Sequence, residues 1–280
     1  MPAAPSEASP VPASLARASD PVLLALDTAT ERLHLALSTG QGEVARVSAL
    51  DLPGGAQASA QLLPGLLQLL GQAGLTWADV SAIAFGAGPG AFTGLRTACS
   101  VTQGLAMGLN VPVILVDTLM AVAEDARQQA APDELTDGDV LWVLQDARMG
   151  ELYVAAFTWS ASTGWREHVA AALWPLDEPR RRWSDAAAGT GQAMSAADSA
   201  GVRVCGNAWH ACAPAFEGLS RVRPLHPQAA PTGRALATLA RRAWSRGECV
   251  DPALALPCYV RDKVAQTTAE RQAPSGMMPA

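Results

Sequence analysis

A chain of 280 residues, 49% of them hydrophobic, is long enough for two domains with separate cores, and its net charge of −6 excludes the basic balance of a stand-alone nucleic-acid binder. The one lysine, Lys263, lies in the tail, so the globular part has no P-loop lysine, Schiff-base lysine or Ser-Lys pair. Its longest apolar run, near Leu62–Leu70, is far too short to span a bilayer.

Residues 1–20 are rich in Pro, Ala and Ser, with neither a basic start nor a continuous apolar segment. They read as a disordered extension rather than a signal peptide, and a cytoplasmic protein is the expectation. Five cysteines form no C-x-x-C pair and four histidines are scattered, so neither a disulfide framework nor a metal site is expected.

Val22–Leu26 is a compact apolar strand closing on the polar turn Asp27-Thr28-Ala29-Thr30-Glu31. Leu33, Leu35 and Leu37 then alternate with His34, Ala36 and Ser38, the period of a half-buried strand. A third strand is predicted over Val44–Leu50, and a helix over Gln57–Ala73, with Pro64 as a kink or a delayed start. Leu62, Leu63, Leu66, Leu67, Leu69 and Leu70 cover more than one face of that helix, which suits deep burial or a partner.

A strand, Val80–Phe85, leads into Gly86-Ala87-Gly88-Pro89-Gly90-Ala91-Phe92-Thr93-Gly94-Leu95-Arg96, whose glycines and proline exclude regular structure. The turn opens a helix, Thr93–Leu109, so free N–H groups around Gly88, Gly90 and Thr93 could hold an anion. Arg96 falls in the first helical turn, where the macrodipole disfavours a cation, which suggests a negative partner. The plainer alternative is a packing turn with Arg96 in a surface ion pair. Along the same helix Ser100, Gly104 and Gly108 recur every four residues. Glycine inside a helix costs about 1 kcal/mol, so a close contact should compensate, either internal or with a helix of another molecule.

Val111–Val116, closed by Asp117, completes the order strand-strand-strand-helix-strand-helix-strand, a ribonuclease-H-like unit. The pattern then recurs faintly: helix Leu119–Ala130, strand Val140–Leu144, turn Asp146-Ala147-Arg148-Met149-Gly150, strand Glu151–Trp159, strand Trp165–Ala171 and strand Val202–Cys205. Asp146 takes the hairpin position that Asp27 takes in the first half. Residues 185–200 are poorly readable, Thr232–Arg246 is a clear helix, and 248–280 is Pro-rich and expected to be loosely ordered. The resulting division is 1–20 extension, 21–118 plus 228–247 first lobe, 119–227 second, degenerate lobe, and 248–280 tail.

Four chemistries compete. Gly86-x-Gly88-x-x-Ala91 resembles a dinucleotide fingerprint, but Asp117 lies about thirty positions on instead of about twenty. A phosphotransferase of the actin and sugar-kinase class would set Asp27 and Asp146 against Mg²⁺ and phosphate across a cleft, yet the Asp27 turn lacks glycine. A hydrolase finds no nucleophile elbow. The fourth reading, a subunit whose work is to bind another subunit, is favoured by the leucine helix and the small-residue row. Arg180-Arg181-Arg182 and Arg241-Arg242 read as solvated surface before they read as RNA contacts.

Leu23–Glu31, Gly86–Arg96 with Gln103-Gly104-Leu105-Ala106, Asp146–Tyr153 and Pro257-Cys258-Tyr259-Val260-Arg261 resemble, in the same order, motifs of the TsaB (YeaZ) family. The resemblance implies two ribonuclease-H-like lobes of the actin, sugar-kinase and heat-shock chaperone ATPase superfamily, with the C-terminal helix packed back on the first lobe. It implies a non-catalytic subunit that pairs with the catalytic paralogue TsaD to form threonylcarbamoyladenosine at position 37 of tRNAs reading codons that begin with A. TsaE, a small ATPase, and tRNA join through the complex; a homodimer is a possible state of the chain alone. The chain itself would need no cofactor, with ATP or ADP and Mg²⁺ acting at the level of the complex. The partner interface would comprise Leu62, Leu63, Leu66, Leu67, Leu70, Ser100, Gly104 and Gly108. Asp27, Thr28, Gly88, Gly90, Thr93, Arg96, Asp146 and Arg148 would be the anion-contacting or motif residues. Many relatives carry a His near the start of the leucine helix, where this chain reads Gly55-Ala56-Gln57-Ala58-Ser59.

Overall fold

Strand β1 (Leu23–Asp27) is buried along its whole length, which is why it reads as an unbroken apolar run closed by one carboxylate. In this computed structural model, which describes residues 20–40, 45–184 and 201–261, β1 is the centre of the first sheet. The expected extension before Asp20, the segment 185–200 and the tail beyond 261 lie outside the described residues. Strand β2 (Arg32–Thr39) pairs antiparallel with β1, setting Asp27 opposite His34, and β3 (Arg46–Pro53) pairs antiparallel with β2. The third strand begins and ends later than predicted, because an edge position tolerates the polar and proline residues Asp51 and Pro53. On the other side of β1 lie β4 (Ala82–Gly88) and β5 (Val113–Asp117), both parallel, giving the order β3-β2-β1-β4-β5.

Helix α1 (Ala58–Gln72) links β3 to β4 and runs unbroken through Pro64. Helix α2 (Phe92–Leu109) links β4 to β5. Leu62, Leu66, Leu69 and Leu70 of α1 and Ala98, Cys99 and Ala106 of α2 pack on Leu24, Leu26, Leu35, Ile83 and Phe85. Each fully buried leucine contributes roughly 1.5–3 kcal/mol.

Helix α3 (Thr118–Gln129) follows β5, its first turn capped by the Asp117 carboxylate accepting from the Met120 N–H at 2.9 Å. The chain then builds β6 (Val140–Arg148), β7 (Glu151–Ser160), β8 (Gly164–Pro175), α4 (Glu178–Trp183), β9 (Val202–Cys205), α5 (Ala208–Ala211) and β10 (Val222–Pro224). Their sheet order is β10-β9-β6-β7-β8. Read from the other edge, this repeats the first sheet strand for strand, and both sheets combine an antiparallel meander with two parallel strands. The molecule is two α/β lobes of ribonuclease-H-like order. The second is abbreviated: where α2 has 18 residues, α5 has 4.

Helix α6 (Gly233–Ser245) covers the opposite face of the first sheet, with Leu236, Ala240 and Trp244 against Leu23, Ala25, Ala84, Ile114 and Val116. A Cβ on Gly233 would lie 2.2 Å from the Leu35 carbonyl oxygen, so the start of α6 can approach β2 only as glycine. Leu119, Val122, Ala123 and Ala126 of α3 pack on the second sheet beside Leu141, Val143 and Phe157. The described part of the tail departs from its loosely ordered expectation. Its backbone pairs with the first sheet where Val250 meets Val113, and Ala255 is fully buried.

Candidate functional site

Two surfaces carry the residues singled out by sequence. The first is the outer face of α1 and α2. On α1, Leu63 and Leu67 point outward, 43% and 51% exposed. Leu62, Leu66 and Leu70 correct the expected interface: they are buried in the lobe's own core, because residues three or four apart along α1 share the face turned to the sheet. On α2, Ser100, Gly104 and Gly108 are exposed, and nothing lies within 4 Å of a Cβ built on Gly104 or Gly108. Within the described chain those two glycines therefore meet no internal neighbour. Met107, 55% exposed, belongs to the same face and was missed, since a lone methionine in a helix carries no sequence signal.

Arg96 also lies on this face. It was expected to face an anion or an ion-pair partner, but its guanidinium stands 3.8 Å over the Phe92 ring and its Nε donates to the Tyr259 hydroxyl at 3.2 Å. Among the described residues a π face and a phenol take the place of a carboxylate. Thr93, Arg96 and Ser100 line a shallow groove along α2.

The second surface is the cleft between the lobes, a cavity of about 220 Å³ lined by Thr30, Glu31, Gly90, Phe92, Gln145, Asp146, Arg148, Tyr153, Asn207, Tyr259 and Arg261. Gly90, Asp146 and Arg148 of the predicted set meet here. The turn after β6 aims them: Arg148 and Met149 adopt φ of 62° and 57°, and the Asp146 carboxylate accepts from the Arg148 N–H at 2.8 Å. The Arg148 guanidinium bridges Asp146 at 3.2 Å and, across the cleft, Glu31 at 3.0 Å. The Tyr153 hydroxyl donates to the Gly90 carbonyl at 3.4 Å, a second tie between lobes.

Asp27 and Thr28 do not reach the cleft. The Asp27 carboxylate accepts from the Ala29 N–H at 2.6 Å and the Thr118 hydroxyl at 3.0 Å, and a Cβ on Gly86 would overlap it. Burial pushes the Asp27 carboxyl above its ordinary range, with the Ala29 N–H, the nearby His34 and the Thr118 hydroxyl holding it back. A buried aspartate with its oxygens engaged inside the lobe is not facing Asp146 across the cleft, as a phosphotransferase would need. Among the described residues no three His, Cys, Asp or Glu side chains converge as metal ligands.

The glycine turn is filled largely by the first hairpin. The Ala91 N–H donates to the Ala29 carbonyl at 2.9 Å, and a Cβ on Gly90 would sit 2.5 Å from that of Ala29. Gly88, at φ 115°, has the backbone of Cys258 against it. The first basic run is accounted for locally: Arg181 pairs with Asp177, Arg182 with Glu178 and the Trp174 ring, and Arg180 donates to the Pro214 carbonyl. In the second, the Arg242 guanidinium stands 4.9 Å over the Trp159 ring.

Comparison with known proteins places this geometry. The family model described as "TsaD: tRNA N6-adenosine threonylcarbamoyltransferase" matches residues 53–171. The tRNA threonylcarbamoyladenosine biosynthesis protein TsaB of Haemophilus influenzae is 39% identical over 133 residues, 47% of this chain and 51% of that protein. Its Escherichia coli namesake is 35% identical over 155 residues, 55% of this chain and 62% of that protein. The matched stretch thus spans between half and two thirds of these relatives. The solved structure of YeaZ from Pseudomonas aeruginosa, 32% identical, superposes with a TM-score of 0.67 over 85% of this chain and 99% of that one.

Proposed function

The chain belongs to the TsaB (YeaZ) family, and from that premise we propose that it is the non-catalytic subunit that binds a TsaD-type threonylcarbamoyltransferase through the outer face of α1 and α2. The pair forms N6-threonylcarbamoyladenosine at position 37 of tRNAs that read codons beginning with A. The observation that carries this reading is the open row of Ser100, Gly104 and Gly108 flanked by Leu63, Leu67 and Met107. Two glycines weaken α2 by about 1 kcal/mol each without serving any contact in the described chain. A partner helix approaching closely over them supplies the compensation, and the flanking side chains supply apolar area.

In this reading the chain works in the cytoplasm, requires no cofactor of its own, and meets ATP or ADP with Mg²⁺, TsaE and tRNA only through the complex. Alone, it pairs with a second copy over the same face. Among the described residues no helix is long and apolar enough to cross a membrane. The test is co-expression with the TsaD-type protein of the same genome. A stable heterodimer is expected, with tRNA modification requiring both chains. Modification of adenosine 37 by the purified chain alone, or failure of the two to bind, overturns the proposal.

A further inference from the structure

The described tail touches both lobes within the seven residues Ala255–Arg261. Val250 and Val113 exchange backbone hydrogen bonds at 2.8 and 3.0 Å, bringing the chain to the edge of the first sheet. The Ala255 carbonyl then accepts from the Cys99 thiol at 3.2 Å and from Gln103 Nε2 at 3.0 Å, both on α2. The Cys258 N–H donates to the Ala87 carbonyl at 2.7 Å. At Gly88 a Cβ would lie 2.6 Å from the Cys258 carbonyl oxygen, so this seat exists only because residue 88 has no side chain. Tyr259 packs on Phe92, ring centroids 5.2 Å apart, and takes the Arg96 hydrogen bond. Arg261 crosses to the second lobe, where its guanidinium donates to the Ala147 carbonyl at 3.0 Å and the Glu151 carboxylate at 2.6 Å.

We propose that Ala255–Arg261 is an intramolecular strap that occupies the inter-lobe cleft and locks the two lobes together. Two-lobed folds of this kind close by hinge motion around a bound molecule. Here the bound group belongs to the chain itself, so its effective concentration is set by a short tether rather than by supply. With Cys258, Tyr259, Val260 and Arg261 forming part of its wall, the cleft keeps about 220 Å³, below the roughly 300–1,000 Å³ of ordinary small-molecule pockets. The lock is also wired to the outer surface, because Phe92 and Arg96, which hold Tyr259, stand on the groove side of α2.

Hydrogen exchange of the full chain, read by mass spectrometry, tests this. In the wild type the Cys258 amide should exchange at least about tenfold more slowly than an unstructured peptide. In the double variant Tyr259→Ala, Arg261→Ala, exchange over Ala147–Glu151 and Ala87–Gly90 should rise about tenfold, with α6 unchanged. Equal rates in variant and wild type over both segments overturn the proposal. Should the double variant fail to fold, the wild-type amide decides alone: protection of Cys258 supports the strap, and free exchange overturns it.

Discussion

The Thr28 hydroxyl donates to the Gly94 carbonyl at 2.6 Å, and a Cβ on Gly94 would fall 1.8 Å from the Thr28 carbonyl oxygen. The first hairpin is therefore pressed against the first turn of α2. Gly94→Ala should destabilise the protein by about 3 kcal/mol or more, because backbone on both sides must move. Gly104→Ala, in the same helix, meets nothing within 4 Å in the single chain and should stabilise the monomer by about 0.5–1 kcal/mol. Urea unfolding of both variants checks the opposite signs.

The two leucine faces of α1 should separate folding from binding. Leu66→Ala opens a cavity in the core and should cost about 2–5 kcal/mol in denaturant unfolding. Leu63→Asp and Leu67→Asp should change stability by less than about 0.5 kcal/mol while abolishing co-purification with a TsaD-type partner. Retained binding in the aspartate variants would mean that the partner uses another face.

Arg127 donates two hydrogen bonds to Glu124, at 2.9 and 2.7 Å, and lies 4.5 Å over the Trp159 ring. Glu124 is wholly buried and also accepts from Gln128 and Trp165. Arg127→Ala removes the cation hydrogen-bonded to that carboxylate and should cost about 3 kcal/mol. Glu124→Gln, which keeps the shape and removes the charge, should cost less. Thermal unfolding of the two variants ranks them.

Asp117, at the start of α3, is pushed up to about 6 from an ordinary 3.8, chiefly by burial and against the Met120 and Leu119 N–H groups. The folded chain therefore holds this proton more tightly than the unfolded one. Its contribution is fully present below about pH 3.8 and is lost as the pH rises through about 6, a change of at most roughly 3 kcal/mol. Asp117→Asn retains an acceptor for the Met120 N–H and should flatten that part of the profile. Unfolding free energies of wild type and variant from pH 4 to 7 give the difference directly.

Much of this protein was settled by one-dimensional pattern. The alternation of Leu33, Leu35 and Leu37, the apolar run before Asp27 and the glycine cluster before α2 are local signals, and they yielded the strand and helix order of the first lobe. In the second, β6 to β9 were readable, but the short elements α4, α5 and β10 were not. Family membership was likewise readable from short motifs in fixed order, because each records a backbone that only certain side chains permit. Which leucines of α1 face inward was not readable: all six are equally apolar, and only the sheet beneath divides Leu66 from Leu67. The same holds for Asp27, whose turn position suits a ligand as well as a core, until Gly86 and Thr118 close around it. The tail misled for a related reason. Pro-rich composition describes a segment's own lack of regular structure, whereas the order of Ala255–Arg261 comes from partners more than a hundred residues away, at Cys99, Gln103, Ala147 and Glu151. Long-range contacts of that kind carry no periodicity, so only the folded chain could decide them.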